Sequence, residues 1–141
     1  KNNIELDNET EKTCINKLYL TGKCDLHDKQ ILSSLDKKIT GYKNQDVKKN
    51  IHDGTTLITR EDLIEKLVAS KLKCYYCSQS VKILYSKVRD PLQWTLDRID
   101  NDNNHTNDNT VVACLDCNLK RRKIDSGKFY FTKNLSIKKQ S

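Results

Sequence analysis

Residues 95–122 read TLDRIDNDNNHTNDNTVVACLDCNLKRR, and their succession of patterns sets the expected architecture. The segment Gln93–Leu96 alternates in the manner of a short strand. Residues 100–109 are almost wholly Asn, Asp, Thr and His, side chains that bond their own backbone and favour turns over ladders. Thr110–Ala113 brings β-branched residues and predicts a second strand. A C-x-x-C pair, Cys114 and Cys117, then leads into a basic helix from Leu115 to about Lys123. Strand, loop, strand and helix in this order predict an α+β unit.

A matching pair, Cys74 and Cys77, lies upstream. Each C-x-x-C knuckle aims two sulfurs at one point, so two knuckles predict a tetrahedral four-cysteine zinc site. With every position filled by protein, such a zinc is structural. The need for a staple is visible in the composition: 141 residues, 35% hydrophobic and 32% charged, supply a small core. Two further cysteines, Cys14 and Cys24, stand near His27. Cys24-x-x-His27 has knuckle spacing suited to a second zinc, but cysteines also fill cores readily, and packing is the preferred expectation.

Farther out, residues 1–12 are polar and acidic and read as a strand-like or frayed lead-in. Leu26, Ile31, Leu32 and Leu35 place a helix over 25–38, and Gly41 with the Lys/Asn-rich stretch to Asn50 reads as its end and a solvated connection. Thr59 and Asp62 form a capping pattern ahead of the stripe Leu63, Ile64, Leu67, Val68 and Leu72. Val81–Tyr85 reads as another strand, followed by a turn at Asp90-Pro91. The residues after Lys128 alternate weakly at Phe129 and Phe131 and then become polar. The organisation expected is therefore a mostly helical extension (1–58), a zinc-stapled unit (59–126) and a tail (127–141).

Residues 74 to about 125 resemble the HNH (His-Asn-His, ββα-metal) endonuclease family, whose finger is a strand pair followed by a helix clasping one metal. The resemblance implies Asp97 and Asn118 as ligands of a catalytic Mg²⁺ or Mn²⁺, with Asn109 bracing the loop. The base histidine usual beside the acidic residue is replaced by Arg98, and arginine does not accept a proton at ordinary pH. The Asp-Arg form is similar to the PacI-type branch, in which a tyrosine farther along the loop and an upstream histidine accompany the arginine. Those positions fall on His105 and His52. Either imidazole suits activation of water near neutral pH, and Arg98 suits support of the phosphate. Arg98 also has Asp100 and Asp102 nearby as plain ion-pair partners, and His105 and Asn109 stand among ordinary turn formers.

A formal net charge of +7 favours a polyanionic partner. Lys120, Arg121, Arg122 and Lys123 cluster close to Asn118 and are the expected phosphate contacts. Double-stranded DNA is the partner the resemblance implies, and a homodimer would let single nicking sites cut both strands. Two rival expectations are a zinc-stabilised DNA-binding module without catalysis and a zinc-stabilised protein-interaction domain. No segment has the length of a membrane span. The absence of methionine, with Lys1 first, suggests excision from something longer. An intracellular setting, cytoplasmic or nuclear, is expected, with a phage or virus as one possible source.

Overall fold

A computed structural model of the chain describes residues 5–122 and 124–140. Asp7 opens the first helix, α1 (Asn8–Thr21), by accepting the Thr10 N–H at 2.8 Å, and Gly22 closes it in the left-handed region at φ 80. This corrects the strand-like lead-in expected over 1–12, since the chain is helical from Asn8. The buried stripe is Glu11, Cys14, Ile15 and Leu18. Two of its four members are a carboxylate and a cysteine, so the helical period is hidden from a hydrophobicity scan.

A single 3₁₀ turn (Asp25–His27) leads into α2 (Asp28–Lys48). This helix passes straight through Gly41, where a helix end was expected. A mid-helix glycine costs only about 1 kcal/mol, and Tyr42 and Asp46 beyond it are buried along with Ile31 and Leu35. Cys14 and Cys24 are joined as a disulfide. That replaces both earlier options, packed thiols or a second zinc with His27, and it ties α1 to the turn ahead of α2.

Thr59 caps α3 (Arg60–Ala69), accepting the Asp62 N–H at 3.1 Å. The sheet is one antiparallel pair, β1 (Trp94–Arg98) and β2 (Thr110–Cys114), with Trp94 opposite Cys114 and Asp97 opposite Val111. Residues 81–85 do not form the expected strand. Glu11 takes their backbone instead, accepting Ile83 N–H at 2.9 Å and Leu84 N–H at 2.8 Å, and only an isolated bridge links Lys82 to Gln93. After β2 comes α4 (Leu115–Arg121), then α5 (Ser126–Gln140) where a tail was expected. Phe129 meets Tyr76 edge-on at 4.9 Å, and Tyr130 lies 4.8 Å from Tyr75.

The described residues thus form an α+β fold of five α-helices and one two-stranded sheet. Ile15 and Ile31 of the first two helices share one core with Leu63, Leu67, Trp94 and Leu96. The N-terminal third is therefore packed into the body that carries the two-stranded sheet. No helix among the described residues is long and apolar enough to cross a membrane.

Candidate active site and metal centre

The sulfurs of Cys74, Cys77, Cys114 and Cys117 all lie within 4.8 Å of one another, with Cys77 and Cys114 3.9 Å apart. Tetrahedral zinc with bonds near 2.3 Å requires sulfurs about 3.8 Å apart, so the cluster is able to hold such an ion. Local geometry explains the gathering. The Cys74 sulfur accepts N–H groups of Tyr76 and Cys77 at 3.4 and 3.5 Å, and Cys114 accepts that of Cys117 at 3.4 Å. Tyr75 N–H donates to Val112 O at 2.7 Å, fastening the first knuckle to β2. Hydrogen bonding from Cys114 and Cys117 pulls the Cys74 thiol down, while hydrogen bonds with Cys114 and then Cys74 push Cys117 up. Thiols crowded in this way share protons, and a dication would displace them.

A cavity of about 560 Å³ lies between α2 on one side and β1 with α4 on the other. Asp97, Arg98, His105 and Asn118 all line it. Thr95 and Asp97 occupy the same face of β1 because strand side chains alternate. The Thr95 hydroxyl donates to Ala113 O at 2.8 Å, so its one hydrogen is spent and it accepts from Asn118 Nδ2 at 3.0 Å. The amide is thereby oriented with Oδ1 left over for a ligand.

Asp97 is 5% exposed. Its Oδ2 accepts from Tyr76 at 2.5 Å and from Arg121 Nη1 at 2.6 Å, which leaves Oδ1 without a partner among the described residues. Arg121 was expected on the DNA-facing surface, but it is 2% exposed. Its other bonds go to the carbonyls of Arg98, Ile99 and Ile124. It is a structural tie between α4 and the end of β1, with no donor facing solvent.

His105 is 2% exposed and lies flat against Tyr42, with ring centroids 4.4 Å apart. Asp46, wholly buried on α2, takes both the His105 backbone N–H at 2.9 Å and the ring Nδ1 at 2.8 Å. Burial pushes the imidazole below its ordinary value and Arg98 adds to that, while Asp46 opposes both. Arg98 places Nη1 4.0 Å from Asp46 Oδ1 and 3.3 Å from Asn103 O, so its anionic neighbour is Asp46, neither Asp100 nor Asp102.

The loop that carries His105 is gripped from two sides. Asn109 accepts Asp100 N–H at 2.9 Å and donates to the carbonyls of Asp100 and Asn104, both at 3.0 Å. Ile58 N–H donates to His105 O at 2.9 Å, and Lys66 Nζ reaches Asn107 O and Thr110 O at 2.9 and 3.0 Å. His52 stands apart: it is not among the cavity-lining residues, and its Nδ1 is buried without a hydrogen-bond partner among the described residues.

Of the basic cluster, Arg122 lines the cavity, while Lys120 is exposed and pairs with Asp116 at 3.1 Å. Lys123 lies outside the described residues. Sequence reading missed the α2 side of the cavity altogether. There Lys37, Lys38 and Lys49 contribute positive charge, and Lys38 is held over the Trp94 ring at 4.6 Å while it donates to Gln93 Oε1 at 3.0 Å. Burial pushes the Lys38 ammonium down to about 7, so Lys37, Lys49 and Arg122 carry the dependable charge. The usable signal for α2 was Tyr42 and Asp46 at helical spacing beyond Gly41. Compared with protein-family models, with curated proteins and with solved structures, the chain has no significant match.

Proposed function

We propose that the chain is a metal-dependent endonuclease of the HNH type, built on a zinc-stapled ββα finger, that hydrolyses DNA phosphodiester bonds. One observation carries this reading: Asp97, Asn118, His105 and Arg98 line a single cavity. Asp97 Oδ1 and Asn118 Oδ1 are hard oxygen donors with no other partner shown, a donor set that suits Mg²⁺ or Mn²⁺. When bound, that cation neutralises phosphate charge and stabilises the departing 3′ oxygen. His105 accepts the proton of the attacking water through Nε2, since its Nδ1 is already engaged. Arg98 supports the negative charge gathering on the phosphate. Lys37, Lys49 and Arg122 hold the flanking backbone. The four-cysteine cluster binds zinc and keeps β2 and α4 in register with the first knuckle. A homodimer, or two successive encounters, would be required to cut both strands of a duplex.

One observation favours a second reading, a DNA-binding module that does not cleave. Asp97 already has a guanidinium on one oxygen, Arg121 at 2.6 Å, which weakens its pull on a further cation. The two are separated by incubating the zinc-loaded chain with supercoiled plasmid and Mg²⁺ or Mn²⁺. Nicked circles that fall about 100-fold or more in His105→Ala and Asn118→Ala support the nuclease. Nicking indifferent to both substitutions removes this cavity as the active site. Salt-sensitive DNA binding without nicking in either metal favours the second reading.

A further inference from the structure

We infer that Asp46 is the positioning residue for His105, fixing which ring nitrogen carries the proton and where the other one faces. The role of base assigned to His105 rests on the nuclease reading; the hold of Asp46 upon it does not. Asp46 sits on α2, outside the stretch that resembles the HNH finger, so nothing in that resemblance supplies it.

The two Asp46 oxygens divide their work. Oδ2 accepts the backbone N–H of His105 at 2.9 Å and Oδ1 lies 2.8 Å from Nδ1. A carboxylate is an acceptor only, so Nδ1 must be the protonated nitrogen. In the neutral ring Nε2 is then the bare acceptor, and His105 lines the cavity shared with Asp97 and Asn118. The Tyr42 face at 4.4 Å prevents the ring from swinging aside, and Ile58 pins the carbonyl of the same residue. Backbone, ring plane and ring nitrogen are thus all determined.

The charged groups around the ring are few. Asp46 and Tyr42 face it from α2, and Arg98 and Asp97 act on it from β1. Arg98 Nη1 lies 4.0 Å from Oδ1 of Asp46, whose side chain is wholly buried. The arrangement answers the difficulty left by the Asp-Arg motif. Arg98 occupies the place of the missing base and also stands beside the carboxylate that orients its replacement from the loop.

The test is nitrogen NMR of the zinc-loaded full chain, labelled at its three histidines and held at a pH where imidazole is neutral. His105→Gln assigns the His105 signals. The expected result is a protonated Nδ1 and a bare Nε2 at His105. Asp46→Asn should shift the ring toward a mixture of tautomers. The same variant should lower kcat for plasmid nicking at least tenfold, with KM changed less than twofold. A ring protonated at Nε2 in the unaltered chain overturns the inference. So does an Asp46→Asn protein that keeps its zinc, its tautomer and its kcat. Should Asp46→Asn fail to fold, the tautomer of the unaltered chain still decides. An unaltered chain with the Nδ1–H tautomer and no nicking in either metal sinks the nuclease reading and leaves the hold of Asp46 standing.

Discussion

Arg121 and Asp97 form a buried ion pair, Nη1 to Oδ2 at 2.6 Å, with the two side chains only 2% and 7% exposed. Three carbonyls, those of Arg98, Ile99 and Ile124, also depend on the same guanidinium. Removing it leaves a buried carboxylate without its counter-charge, bonded only by Tyr76 among the described residues, and several acceptors unpaired, at a cost of about 3–5 kcal/mol. Arg121→Ala should therefore show a large loss in urea unfolding. Arg122, exposed at the cavity rim, is the contrasting case. Arg122→Ala should leave stability within about 0.5 kcal/mol and reduce the salt slope of DNA binding by about 1. Equal stability losses in the two variants would refute this division of labour.

The cysteines should titrate as two populations. Cys74, Cys77, Cys114 and Cys117 are free thiols in one cluster, while Cys14 and Cys24 are bonded to each other. Denatured without reductant and stripped of metal, the chain should offer four thiols to a disulfide reagent and six after reduction. Native protein should carry one zinc per chain. Chelation should release it and lower the melting temperature steeply, because two segments distant in sequence, 74–77 and 114–117, meet at the sulfurs. Six reactive thiols before reduction, or no bound zinc after purification in its presence, would contradict the assignment.

The parts of the fold legible in the sequence were those whose signals are local. Thr59 with Asp62, the Leu63–Leu67 stripe, the two knuckles and both strands flanking the Asn/Asp loop needed no tertiary information. Where the reading failed, a distant partner had overruled a local preference. Residues 81–85 have strand composition, but Glu11 occupies Ile83 and Leu84 N–H. Arg121 belongs by sequence to an exposed basic run, and only the fold reveals that Asp97 draws it inward. Asp46 has no motif of its own. Its meaning comes from the approach of α2 to a loop that lies far along the chain.

Glu11 also gives the stability a pH dependence. Burial raises its carboxyl to about 7, outweighing the two backbone N–H groups that favour the charged form. A folded value above the unfolded one means that this contribution is full below about 4.5 and disappears as pH rises through about 7. Between pH 6 and 8 the loss amounts to about 1 kcal/mol. His105, pushed below its ordinary value, contributes stability that is instead lost as pH falls through its folded value. Comparing the chain with Glu11→Gln therefore isolates the Glu11 part. Denaturation midpoints of the unaltered chain should fall from pH 6 to pH 8 more than those of Glu11→Gln. Parallel profiles would show that Glu11 is ionised throughout that range.

Asn109 braces the loop without facing the cavity, so its loss should separate catalysis from binding. Its Oδ1 accepts from Asp100 N–H, and its Nδ2 donates to the carbonyls of Asp100 and Asn104. The last of these immediately precedes His105. Asn109→Ala removes these bonds, and a longer one to Asn103 O at 3.4 Å, at a cost of about 1–3 kcal/mol and leaves the cysteine cluster untouched. Hydrogen exchange should quicken at the Asp100 amide first, because Asn109 is its acceptor. On the proposed function, a misplaced His105 should lower nicking about 100-fold, while DNA affinity, assigned there to Lys37, Lys49 and Arg122, should stay within about twofold. If affinity fell in step with nicking, the loop itself would be part of the DNA-holding surface, and the separation drawn between brace and grip would be wrong.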